Sequence, residues 1–242
     1  MGEVIEIVAA DCELQPVIVA SHASDSQPLA SLSARYQSLR NTHFSVDIGT
    51  RQLAKALAEH LNAPSVIGAV GRLGIDCNRP LETAFKAARP SGVGYTLEQE
   101  YQPLTRLYQQ FHDGIAVRID EIKRQGKTPL LIDLHSFTRV FDGKRRDVDI
   151  GICDHRLDRT AARVFDTLHK FFSNTHKVRM DEPYAGTFPG MFIGKKYFSS
   201  ETPTVTIEVC NDLIDTEDGQ RTIQAGLIQA IRSLSRSQAD AQ

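Results

Sequence analysis

Cysteine is scarce: Cys12, Cys77, Cys153 and Cys210 are scattered and form no C-x-x-C pair. That spacing argues against a structural zinc ribbon and against a disulfide framework, so the thiols read as reduced ones in a cytoplasmic protein. An excess of basic residues is missing too. The chain carries 28 Lys and Arg against 30 Asp and Glu, a formal net charge of −2, which leaves no general attraction to nucleic acid or to an anionic membrane. No window approaches the roughly 18 apolar residues of a membrane span. The opening MGEVIEIVAADCE is acidic and lacks the basic region and long apolar run of a secretory signal. G-x-G-x-x-G, G-x-x-x-x-G-K-[ST] and G-x-S-x-G are all absent, which removes the markers of dinucleotide binding, P-loop and serine-hydrolase chemistry. There is no internal repeat and no low-complexity segment.

The chain of 242 residues is 41% hydrophobic and 24% charged, as expected of a globular α/β domain able to bury a full core. TPLLIDLHS, Thr128–Ser136, is a short apolar run that ends in polar residues, the pattern of a strand buried on both faces. Pro16–Ser21 has the same shape and empties into His22-Ala23-Ser24-Asp25. Further strands are expected at Ser65–Val70, Asp149–Cys153 and Pro203–Cys210, with a short edge strand at Val4–Ala9. Helical spacing of apolar residues predicts a short helix and turn in 28–40, then helices over 48–62, about 101–125, 158–173 (capped by Asp158) and 216–235, with 236–242 fraying. The stretch Asp181–Tyr197, rich in Gly, Pro and aromatic residues, resembles a loop covering an active site. Strands alternating with helices predict one α/β domain over residues 1–242, with a mixed, mostly parallel sheet flanked by helices on both faces.

The carboxyl ends of such strands are where ligands bind, and two of them deliver a histidine. His22, Asp25 and His135 together offer two imidazoles and a carboxylate, a set suited to zinc or another divalent metal with one position left for water. Glu208 lies in TVTIEVCND, where alternation places it with Thr204 and Thr206 opposite Val205, Ile207 and Val209. That polar face either meets solvent or lines a cleft with Glu208 as general base. In Asp76-Cys77-Asn78-Arg79 an arginine fork beside an amide can hold a carboxylate, or form a loop salt bridge; Arg72 is a second such cation. His43 and Asp47 lie one helical turn apart, as a ligand pair or an oriented imidazole, while Asp47 is equally placed to cap the helix over 48–62. Lys144–Arg146 sits among aspartates and reads as a solvated turn.

Taken in order, SHAS…P, H-x-x-x-D-I-G, RLGIDCNRP, DLHSFT, DEPYAG and TIEV resemble the N-formylglutamate amidohydrolase family over most of the chain, from about Val17 to Asp212. The resemblance implies a zinc-carboxypeptidase/phosphorylase-hydrolase-like fold. It implies a metal held by His22 and His135, with Asp25 at the position of the third ligand and Asp47 as the alternative carboxylate. Glu208 falls on the catalytic glutamate, and Asn78 and Arg79 on a pair that grips the substrate's carboxylate. Arg72 and Arg146 would add positive charge, and Tyr184 would cover the substrate. The implied activity is hydrolysis, through metal-activated water, of an N-acyl amino acid such as N-formylglutamate. A carboxypeptidase or deacylase acting on a small peptide, and a non-catalytic binder of a carboxylated metabolite, are the alternatives.

Overall fold

The computed structural model describes residues 14–154, 159–188 and 190–235. The chain opens with β1 (Leu14–Ala20), the short α1 (Ala30–Arg35), α2 (Thr50–Leu61), β2 (Ser65–Ile67) and the single-turn α3 (Leu81–Ala84). There follow α4 (Tyr101–Arg124), β3 (Thr128–Phe137), the hairpin β4 (Val140–Phe141) and β5 (Lys144–Arg145), β6 (Ile150–Cys153) and α5 (Thr160–Phe172). It closes with β7 (Val178–Met180), α6 (Phe192–Tyr197), β8 (Thr204–Cys210) and α7 (Glu217–Ser235).

Six strands form one sheet in the order β2-β1-β3-β8-β6-β7. β1 runs parallel to β2 and β3, β3 to β8, and β6 to β7; only the β6–β8 pairing is antiparallel. The sheet is therefore mixed and mostly parallel, as its sequence pattern predicts. Strand alternation divides the core. Ile18, Leu130, Ile132, Val205 and Ile207 pack on one face against Leu53 and Leu57 of α2, Val164 and Leu168 of α5, and Leu227 of α7. Val17, Val19 and Leu131 pack on the other face against Leu104, Phe111 and Ile115 of α4. Both faces of the sheet are thus sealed by helices, which explains why its central strands read as near-continuous apolar runs.

Three expectations change. The Ser65–Val70 strand stops at Ile67. Asp181–Tyr197 is not loop throughout, because α6 closes it. Asp47 does not cap α2. That helix starts at Thr50 after Gly49, whose φ of +82° turns the chain and which carries no side chain to donate or accept. The Val4–Ala9 strand, the Asp158 cap and residues 236–242 lie outside the described residues.

Candidate metal centre and cavity

The same alternation positions the chemistry. On β3, Leu130, Ile132 and Leu134 take one face, which leaves Asp133 and His135 on the other. β8 is in register so that Thr206 faces Asp133 and Glu208 faces His135. The polar face of β8 does not meet solvent. Thr204, Thr206 and Glu208 are all buried: Thr204 Oγ1 donates to the Gly194 carbonyl in α6 at 3.0 Å, and Thr206 Oγ1 donates to Asp133 at 3.2 Å.

Two loops complete the site. His22 follows the end of β1, and its carbonyl accepts the Asp47 N–H at 2.9 Å. Ser136 Oγ donates to the Ile48 carbonyl at 2.9 Å, which fastens the same loop to β3. Asp47 is thereby held between the two histidines. Its Oδ2 lies 2.8 Å from His135 Nδ1 and 3.5 Å from His22 Nδ1. One donor atom from each of His22, Asp47 and His135 falls within 4.8 Å of the others, and all three residues are buried.

The far nitrogen of each ring is also engaged. His22 Nε2 is 2.7 Å from Asp76 Oδ1, and His135 Nε2 is 3.1 Å from Asp133 Oδ1. Carboxylates behind imidazoles fix ring orientation and leave the opposite nitrogen to ligate. Burial favours the neutral imidazole, but Asp133 and Asp47 raise His135 well above its ordinary value, and Asp76 and Asp47 raise His22 against the opposing charge of Arg72. Burial pushes Asp47 up, yet Arg72 and the two imidazoles hold it well below the usual carboxylate range. Glu208 is pushed up to about 7, first by burial, with Asp47 and Asp133 adding to the shift and His135 opposing it. Among the described residues no group donates to its buried Oε2.

Two nitrogens and a carboxylate oxygen converging beside an unpartnered buried carboxylate fit a divalent ion, zinc by donor type. Arg72 now stands at this point, with Nη1 3.1 Å from His22 Nδ1 and Nη2 3.0 Å from Asp47 Oδ1. An ion ligated there would take over the contact at Nδ1.

Asp25, expected as the third ligand, turns away. Its Oδ2 accepts the Asn41 N–H at 3.1 Å and lies 3.4 Å from Arg40 Nε. Asp47 is the carboxylate that lies beside the two histidines, because the backbone bond to His22 delivers it. Arg72 is engaged here by Asp47, His22 and the carbonyls of His43 and Phe44. Asn78 is buried with its side chain tied inward: Oδ1 accepts the Ile193 N–H at 2.8 Å and Nδ2 is 3.1 Å from His135 Nε2. Arg79 donates through Nε to Asp76 at 3.0 Å. His43 does not pair with Asp47 as a ligand; its ring lies against Phe44. Sequence reading did not assign roles to Asp76 and Asp133, although the D-x-H spacing on one strand face was a signal for the second of them.

A cavity of about 340 Å³ opens over the group. Its lining includes the buried His22, Asp47, Asp76, Asn78, His135, Glu208 and Phe137 and, on the outer wall that reaches solvent, the partly exposed Phe141, Arg146, Tyr184 and Phe188.

These features define an α/β protein with a buried His–Asp–His group, able to hold a metal, at the carboxyl ends of parallel strands. The chain belongs to the N-formylglutamate amidohydrolase family, whose model matches residues 14–215. A crystal structure of a gene product from Agrobacterium tumefaciens is similar with a TM-score of 0.78 and 26% identity, over 93% of this chain and 91% of that one. A crystal structure of N-formylglutamate amidohydrolase from Ralstonia eutropha JMP134 shares the fold, with a TM-score of 0.65 and 15% identity over 92% and 93% of the two chains. No curated protein matches the chain. Family membership supports an amidohydrolase. No helix among the described residues is long and apolar enough to cross a membrane.

Proposed function

We propose that the protein is a metal-dependent hydrolase that cleaves the amide bond of an N-acyl amino acid, with formyl as the acyl group. The observation that carries this reading is the convergence of His22, Asp47 and His135 within 4.8 Å at the floor of a cavity that Glu208 also lines. A divalent ion held by these three residues, zinc by their donor types, would polarise the acyl carbonyl and ease deprotonation of water.

Glu208 is the proton carrier. Its carboxylate accepts a proton from the attacking water and delivers it to the leaving amine nitrogen. Burial raises its pKa to about 7 in the metal-free protein, and a cation bound beside it would lower that value and favour the carboxylate that takes up the proton. Asp76 and Asp133 act through the histidines, holding each ring so that its Nδ1 faces the cavity. Arg79, Arg146 and Tyr184 border the space left for the substrate, and Asn78 braces α6 against the site. A cavity of about 340 Å³ suits one amino acid with a small acyl group.

The test is metal content together with turnover. Protein purified with zinc should bind about one ion per chain and release formate from N-formyl amino acids, and His135→Ala should lose both properties. Formate release that persists in the metal-stripped protein or in His135→Ala would overturn the reading.

A further inference from the structure

Three arginines line the cavity, and they differ in how their charge is balanced. Arg72 is paired with Asp47 and Arg79 with Asp76. Arg146 has no carboxylate partner among the described residues. Its Nη2 donates to the Tyr184 hydroxyl at 3.0 Å and its Nη1 to the Thr138 carbonyl at 3.2 Å, both neutral acceptors. Its guanidinium carbon lies 4.8 Å from the centre of the Phe141 ring, 5.0 Å from that of Tyr184 and 5.5 Å from that of Phe137. Three rings thus fix a half-buried cation without a carboxylate partner at the cavity wall, where an anionic ligand can pair with it.

Around Arg146 the lining is largely aromatic. Phe188 stacks on Tyr184 at 5.1 Å, and His43 faces Phe141 at 5.8 Å. Phe141 is 46% exposed and Phe188 43% exposed, so large rings stand open to water where a ligand would cover them. A second carboxylate lodged against these rings would lose its hydration and gain no counter-charge there.

We infer that the outer half of the cavity is a subsite for a single carboxylate borne on an apolar or aromatic body, with Arg146 as the anion anchor and the flanking rings as the selector of the side chain. The inference rests on the proposed hydrolysis and narrows it: the amino acid released is apolar or aromatic rather than glutamate. The carboxylate is assigned to Arg146 because it alone of the three has no carboxylate beside it, whereas Arg72 meets Asp47 and Arg79 meets Asp76 through Nε.

The experiment compares N-formyl-L-phenylalanine, N-formyl-L-glutamate and N-formylphenethylamine, which lacks the carboxylate, on the zinc-loaded wild type and on Arg146→Gln. The phenylalanine substrate should exceed the glutamate one at least about tenfold in kcat/KM. The variant should raise KM for N-formyl-L-phenylalanine roughly ten- to a hundredfold, with kcat changed only a few-fold, and leave N-formylphenethylamine nearly unaffected. Glutamate used equally well or better, or a loss in the variant that is the same with and without the carboxylate, would overturn the inference while leaving the hydrolase reading intact. If the zinc-loaded wild type hydrolyses none of the three, the hydrolase reading falls and calorimetry decides the subsite. Tighter binding of N-formyl-L-phenylalanine than of N-formyl-L-glutamate, weakened by Arg146→Gln, would uphold it; no binding, or glutamate bound more tightly, would overturn it.

Discussion

His22 Nε2 and Asp76 Oδ1 are 2.7 Å apart, although 54 residues separate them in the chain. Asp76 also accepts the backbone N–H of Asn78 at 2.9 Å and the Nε–H of Arg79 at 3.0 Å, so its carboxylate is fixed before any ligand arrives. A rigid carboxylate behind an imidazole orients the ring and strengthens it as a ligand.

Asp76→Asn should therefore weaken zinc affinity roughly ten- to a hundredfold, the usual effect of losing such a partner. Competition titration against a chelator dye measures it, with circular dichroism as the check that the fold persists. Unchanged affinity would mean that Asp76 serves only to order its own loop.

Metal uptake should depend on pH with a definite sign. Aspartates raise the pKa of both His22 and His135, so each ring keeps a proton above the ordinary imidazole value of 6.5. An ion must displace those protons. Apparent affinity should therefore fall as pH drops from about 8 to about 6, by up to about tenfold per unit for each proton displaced. Zinc titrations by calorimetry in buffers of different ionisation enthalpy count the protons released directly.

Glu208→Gln separates activity from stability. Burial raises the folded pKa of Glu208 to about 7, above the value in an unfolded chain. Below the unfolded pKa both states hold the proton and nothing is lost. As pH rises from the ordinary carboxyl value of 4.5 to about 7, the unfolded chain loses this proton while the folded one keeps it, so stability falls across that window and no further above it. In metal-free protein the glutamine variant should be more stable than wild type above that pH, by up to about 3 kcal/mol, with the gain vanishing in acid. Urea unfolding at two pH values tests this, and formate release should be abolished in the same variant.

Gly68→Ala should damage the site from a distance. A methyl there would stand 2.1 Å from the Ser21 carbonyl oxygen, on backbone that leads directly into His22. Relieving that overlap should cost about 1–3 kcal/mol and displace the histidine. A lower thermal midpoint together with weaker zinc binding is the expected outcome; a lower midpoint with normal zinc binding would show that the His22 loop relaxes independently.

The elements were legible because their signals are local. Apolar residues at helical spacing place α4 at Tyr101–Arg124, where a helix over about 101–125 is expected, and the run in TPLLIDLHS lies within β3 at Thr128–Phe137. Period-two alternation assigns Glu208 to the polar face of β8. Whether that face meets water or a cleft is decided by α6, a helix hidden in a stretch whose Gly, Pro and aromatic residues read as loop.

By itself, then, the sequence determined the longer strands and helices, the face of β8 on which Glu208 lies, and the pair of strand ends that carry histidines, because these depend on periodicities within a dozen residues, while the short α3, α6, β7 and the β4–β5 hairpin escaped it. Tertiary structure alone decided which carboxylate joins the histidines. The H-x-x-D spacing favours Asp25, but the bond from the Asp47 N–H to the His22 carbonyl and the left-handed turn at Gly49 bring Asp47 in, while Asn41 and Arg40 hold Asp25 away. Contacts across such separations follow from how loops close on the sheet, which no local pattern encodes.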